Sequence, residues 1–142
     1  MSIQIKTATR PEEILLCWDA MHALRPHLAR ETFVETVTEM IGTGYHLAYI
    51  EEDGRAAGAV GYRFLHILFH GKHIYVDDLT TLPTARRKGY GRALLEHVFR
   101  IAAERGLNAV VLDSGPQRHD AHRLYLNAGF ILSSYHFVRK SH

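Results

Sequence analysis

Two stretches of this chain carry residue types that do chemistry. Asp77 and Asp78 stand side by side in HIYVDDLTTL, residues 73–82, a run that otherwise reads as a strand. Adjacent carboxylates inside an apolar strand are costly without partners, so they are either solvated charges or a place where protons move. A little further on, RRKGYG sets Arg86, Arg87 and Lys88 against Gly89, Tyr90 and Gly91, and Arg92 follows as a helical pattern begins. Backbone N–H groups in a glycine-containing turn at the mouth of a helix cradle anions, and the helix dipole adds to the attraction. Alone, the same stretch also reads as a solvated basic turn. It is not a mononucleotide P-loop, because no Lys-Ser/Thr pair follows the second glycine, nor a dinucleotide loop, which would follow the first strand.

Other reactive residue types carry less. His66, His70 and His73 lie close in sequence, but no acidic or cysteine ligand has matching spacing, so no metal is expected. The lone Cys17, among Ile14, Leu15, Leu16, Trp18 and Met21, reads as a core thiol rather than a nucleophile. Arg25, His27, Arg30 and Arg63 form either a cationic acceptor pocket or ordinary surface charge. A net charge of +2 is too mild for the broad basic face of a nucleic-acid binder. No apolar run approaches the ~20 residues that span a bilayer, and the first residues lack a signal core, so a cytoplasmic protein without membrane or nucleic-acid partners is expected.

The elements that must hold these residues follow from periodicity. Residues 3–8 alternate as a first strand, and Pro11 opens a helix that runs to Pro26. A second helix covers about 30–42. Residues 45–51 and 56–67 form a hairpin around EDGR, and 73–82 make a fourth strand. A helix from Gly89 to Arg105 leads to a short apolar strand, 108–112, as a parallel crossover. A helix at 121–128 and a strand at 130–138 close the chain. The expectation is one α+β domain over residues 1–142, with a mixed, mostly antiparallel sheet of about six strands and helices on both faces.

The loop Arg86-x-x-Gly89-x-Gly91, after a strand ending LTTLP, is joined by Ala121-x-x-Leu124-Tyr125-x-x-x-Gly129-Phe130. Two spaced motifs in this order resemble the GCN5-related N-acetyltransferase (GNAT) superfamily across nearly the whole chain. YHLA at 45–48, RHDAHRLYL at 118–126 and SSYHF at 133–137 are further similar to its aminoalkylphosphonate N-acetyltransferase branch.

The resemblance implies an acetyl-CoA-dependent enzyme that acetylates a primary amine of a small molecule by direct transfer. The pyrophosphate of acetyl-CoA would lie on Arg86, Arg87, Lys88, Gly89, Tyr90, Gly91 and Arg92. The backbone of Leu79, Thr80 and Thr81 would pair with the pantetheine arm. Asp77 would be the base, with the adjacent Asp78 as the other candidate, and Tyr125 the acid that protonates the leaving sulfur. A phenol, ordinarily titrating near 10, is protonated at neutral pH as an acid must be. Asp113 and Ser114 would lie beside the arm. Arg118 stands where the superfamily often has an asparagine, so that contact passes to a cofactor phosphate or an anionic substrate. Protein-lysine or polyamine acetylation, or a non-catalytic acyl-CoA sensor, are the alternatives. Residues 130–138 are an edge strand or one exchanged in a homodimer.

Overall fold

The strand patterns form one sheet, seen in a computed structural model that describes residues 3–141. The backbone groups into two compact units, one through Leu112 and one from Asp113 onward. In the first, β1 (Lys6–Ala8), β2 (His46–Glu52), β3 (Arg55–Ile67) and β4 (Gly71–Thr81) run antiparallel in that order, and β5 (Val110–Leu112) lies parallel to β4. The hairpin between β2 and β3 turns on Asp53 and Gly54, both at positive φ, as a two-residue turn matched to strand twist requires.

Helices cover both faces of this sheet. Adjacent residues of β3 show it: Ala57 packs in a cluster with Ala20 of α2 (Trp18–Leu24), while Gly58 lies against Leu94 of α4 (Tyr90–Glu104). Because neighbours on a strand point to opposite faces, α2 and α4 sit on opposite sides. With α2 go α1 (Pro11–Leu16) and α3 (Arg30–Gly42), whose Ile14, Phe33 and Val37 bury against Leu47 and Tyr49 of β2. The single helix expected from Pro11 to Pro26 is two, broken at Cys17, which ends α1 and begins α2. No helix among the described residues is long and apolar enough to cross a membrane.

The second unit holds α5 (His119–Asn127). The strand expected at 130–138 does not form, so the sheet has five strands rather than six. A strand needs a neighbour for its N–H and C=O groups, and this segment meets none within the described chain. Ile131, Leu132, Tyr135, Phe137 and Val138 are left exposed.

Candidate active site

The centre of β4 departs from strand alternation at Asp77. Val76 faces Tyr62 and Asp78 faces Gly61 across β3, so Asp77 is an extra residue without a ladder partner. Such a bulge re-aims side chains. Alternation along the sequence puts Asp77 and Asp78 on opposite faces; the bulge instead turns both toward the face covered by α1, α2 and α3, because their partners Arg63 and Tyr45 lie there.

Those partners make one cluster. Arg25, which ends α2, donates Nε to Asp78 Oδ1 at 3.1 Å and Nη2 to the Asp77 carbonyl at 3.0 Å. Tyr45 Oη donates to Asp78 Oδ2 at 2.8 Å. Burial, with Asp78 beside it, raises the Tyr45 phenol, which keeps it a donor. Arg63 donates Nε to Asp77 Oδ2 at 2.8 Å, and its guanidinium lies 5.2 Å from the centre of the Tyr45 ring. Gly61 permits this packing, since a Cβ there would run into the Tyr45 hydroxyl. Asp77 Oδ1 is buried and accepts no hydrogen bond among the described residues. Burial pushes the Asp77 carboxyl above the ordinary carboxylate value, and the Arg63 hydrogen bond opposes that rise.

Beside the cluster the sheet opens. β4 pairs with β5 at Ile74, Tyr75 and Val76, and no pairing among the described residues continues beyond. Leu79, Thr80 and Thr81 pair with β3, so the opposite edge of their backbone is unclaimed by a strand. Thr80 spends its hydroxyl on the Ala20 carbonyl at 3.1 Å. Because the Leu82 N–H bonds the Ala57 carbonyl, antiparallel alternation turns the Thr80 backbone to Ala59 and leaves the backbone groups of Leu79 and Thr81 on the free edge.

A short 3-10 turn (Pro83–Ala85) carries the chain from that edge to α4. Arg87 and Gly89 adopt φ of 68° and 81°, a left-handed bend that presents backbone toward the helix mouth. Gly89 is the N-cap and has no side chain to occupy the first-turn amides; among the described residues none beyond its chain neighbours lies within 4 Å of where its Cβ would stand. The open helix end therefore fits a diphosphate. Arg86 and Arg87 are exposed there. Lys88 pairs instead with Glu52 at 2.8 Å, the Tyr90 hydroxyl bonds the same carboxylate, and Arg92 meets Glu96 at 2.8 Å.

In the second unit, Arg118 takes the N-cap position of α5 and is half-buried. Tyr125 is buried, its ring edge-on to Phe130 at 5.8 Å. Ser114 Oγ is buried with no hydrogen-bond partner among the described residues, and Asp113 lies 3.6 Å from His136 Nδ1. Nothing in the sequence marks Tyr45 or Glu52 as members of these clusters. A double acid in an apolar strand is the one signal that β4 would bulge.

A profile of the Acetyltransferase (GNAT) family matches residues 13–130. The chain is 33% identical over 137 residues to the uncharacterized N-acetyltransferase YhdJ of Bacillus subtilis, covering 95% of this chain and 96% of that one. It is 32% identical over 89 residues to the aminoalkylphosphonate N-acetyltransferase of Salmonella typhimurium, 60% of this chain and 58% of the relative. Among solved structures it is similar to AAC(6')-Iy in complex with the bisubstrate analog CoA-S-monomethyl-acetylneamine, with a TM-score of 0.81, 18% identity and 99% of both chains covered.

Proposed function

Since the chain belongs to the GNAT family of N-acetyltransferases, we propose that it moves an acetyl group from acetyl-CoA to a primary amine of a small molecule, by direct transfer in a ternary complex. The observation that carries this reading is the Asp77 carboxylate, half-buried, bulged out of β4 and holding one oxygen unbonded beside an open strand edge.

Acetyl-CoA supplies the activated thioester. Asp77 takes a proton from the acceptor's ammonium, directly or through a water, and so frees the lone pair that forms the C–N bond. Backbone groups of Leu79 and Thr81, which face the free edge on either side of Thr80, hold the arm and polarise the carbonyl as charge builds on its oxygen. Tyr125 gives its proton to sulfur as the C–S bond breaks, and its phenolate takes up the second proton that the nitrogen sheds on becoming an amide. The first-turn amides of α4, from Gly89 to Arg92, hold the diphosphate with Arg86 and Arg87, while Lys88 and Tyr90 brace the loop through Glu52. Arg118 serves a cofactor phosphate or an anionic group.

Cys17 supports direct transfer. It is buried, its thiol is pushed up to about 12 by that burial, and it points to the Glu13 carbonyl at 3.8 Å. Such a thiol makes a poor acyl carrier. Arg25 and Arg63 flanking the acids favour an acceptor other than a polyamine. We also read residues 130–138 as an exchanged strand joining two copies. Tyr135 and Phe137 each offer roughly 150–250 Å² to bury. With Ile131, Leu132 and Val138, two such segments approach the ~1,200 Å² of the smaller stable interfaces.

The test is free-thiol release from acetyl-CoA across aminoalkylphosphonates, amino acids, polyamines and a lysine peptide. Release with a small amine supports the enzyme. Binding of acetyl-CoA without release across amines of every size and charge would instead make the chain a sensor.

A further inference from the structure

The acid cluster borders a cavity of about 360 Å³ between α2, α3 and the sheet. Its lining is largely apolar: the half-buried Leu28 and Met40 border it, and the buried Met21, Phe33, Val37 and Leu47 each show it an edge. Asp78 and Tyr45 stand in this lining as well, and exposed residues, Arg25 and Thr36 among them, form the mouth. Core residues ordinarily close such voids, because an unfilled apolar cavity forfeits packing energy. Here a hollow with greasy walls is kept open next to the carboxylate pair.

The lining says what fits. The acid in it, Asp78, is already committed to Arg25 and Tyr45, so the cavity offers no row of carboxylates for a polycation. A sugar's hydroxyls would lose water against Met21, Phe33, Val37 and Leu47 without finding partners. An aryl or branched alkyl group loses nothing there and gains by burial.

We propose that this cavity holds the apolar substituent of the acceptor, so that the substrate is a primary amine carrying one aryl or branched-alkyl group, with its nitrogen at the Asp77–Asp78 pair. This rests on the reading of that pair as the acceptor side of the transferase site. The cavity thereby sets specificity by shape and hydrophobicity, while the carboxylates handle the nitrogen common to all amines.

The experiment compares phenethylamine with ethylamine, with and without a filled mouth. Thr36→Phe is the filling variant, since Thr36 is an exposed helix residue that lines the cavity. In the unaltered enzyme, phenethylamine should exceed ethylamine in kcat/KM by about tenfold or more, as expected for burying a ring. Thr36→Phe should erase that advantage, bringing the phenethylamine and ethylamine values of kcat/KM together, and leave acetyl-CoA affinity unchanged.

A second readout needs no turnover. Trp18, the single tryptophan, lies edge-on to Phe33 of the cavity wall with ring centres 5.2 Å apart. With CoA present, phenethylamine should give a saturable change in Trp18 emission that ethylamine does not, and Thr36→Phe should abolish it. If both amines react equally, or the preference survives Thr36→Phe, the cavity assignment is overturned while the transferase stands. If no amine reacts but phenethylamine still shifts Trp18 saturably, the transferase reading falls and the cavity stands as a binding site. Absence of any Trp18 response to phenethylamine overturns the cavity proposal.

Discussion

Arg63 Nε donates to one oxygen of Asp77 at 2.8 Å, while the other oxygen of that carboxylate is buried and unbonded among the described residues. The guanidinium both orients the acid and tunes it, because burial raises the carboxyl and Arg63 lowers it. A base works when ionised, so kcat/KM should fall as pH drops through the Asp77 pKa. Arg63→Met removes the lowering influence, and the acid limb should move to higher pH. Asp77→Asn should remove that limb and cost roughly 10²–10⁴ in rate, the usual worth of a positioned base. Thiol release followed against pH for the three proteins checks this. An unchanged limb in Arg63→Met, or full activity in Asp77→Asn, would rule out the base assignment.

Gly89 is needed for its backbone rather than for space. Its φ of 81° is left-handed, and among the described residues none beyond its chain neighbours lies within 4 Å of the Cβ it lacks. Gly89→Ala should therefore cost about 1–2 kcal/mol of backbone strain, relieved by unwinding the cradle, and weaken acetyl-CoA binding roughly tenfold. Gly42→Ala, a helical position with equally open surroundings, should leave binding unchanged. Calorimetric titration of acetyl-CoA into both variants is the measurement.

How far the sequence reveals this molecule depends on which residues settle each feature. Patterns with a local cause are readable: the Asp53-Gly54 turn, the amphipathic α4 and the glycine at its mouth follow from neighbouring residues alone. The double acid hints at an irregularity in β4, but the bulge itself is set by register between β3 and β4, so the acids' shared face is hidden. The same holds for Tyr45, which reaches Asp78 from 33 positions away. The helix break at Cys17 preserves an apolar periodicity on both sides and leaves no trace in it. Residues 130–138 alternate like a strand, but a strand exists only with a neighbour, and composition does not name one.

That missing neighbour is testable. If a second copy completes residues 130–138, the protein sediments as a dimer and the exposed Phe137 and Val138 become buried on assembly. Replacing both by aspartate, F137D and V138D together, should yield monomers, since charges inside an apolar interface lose their hydration. Sedimentation velocity over a range of concentrations distinguishes the states. A monomeric unaltered protein at every concentration would dispose of the exchanged strand.

Glu13 links the N-terminal strand to α1, and its charge should set part of the acid sensitivity of the fold. Its carboxylate accepts from the backbone N–H of Arg10 at 3.0 Å and of Thr9 at 3.2 Å. These bonds, with the Arg10 side chain behind them, lower its pKa from the usual 4.5 to about 2. A carboxyl with a depressed folded-state pKa stabilises fully above its unfolded value and loses that contribution as pH falls toward the folded one. Glu13→Gln keeps an acceptor for the same N–H groups but removes the charge. Its melting temperature should therefore lie below that of the unaltered protein at neutral pH, and the gap should narrow steadily as pH drops from about 4.5 toward 2. Glu13→Ala, which removes the acceptor as well, should stay less stable even at the acid end. Thermal melts of the three proteins across that range provide the check: a gap for Glu13→Gln that is constant with pH would mean the charge contributes nothing and the cap acts through its hydrogen bonds alone.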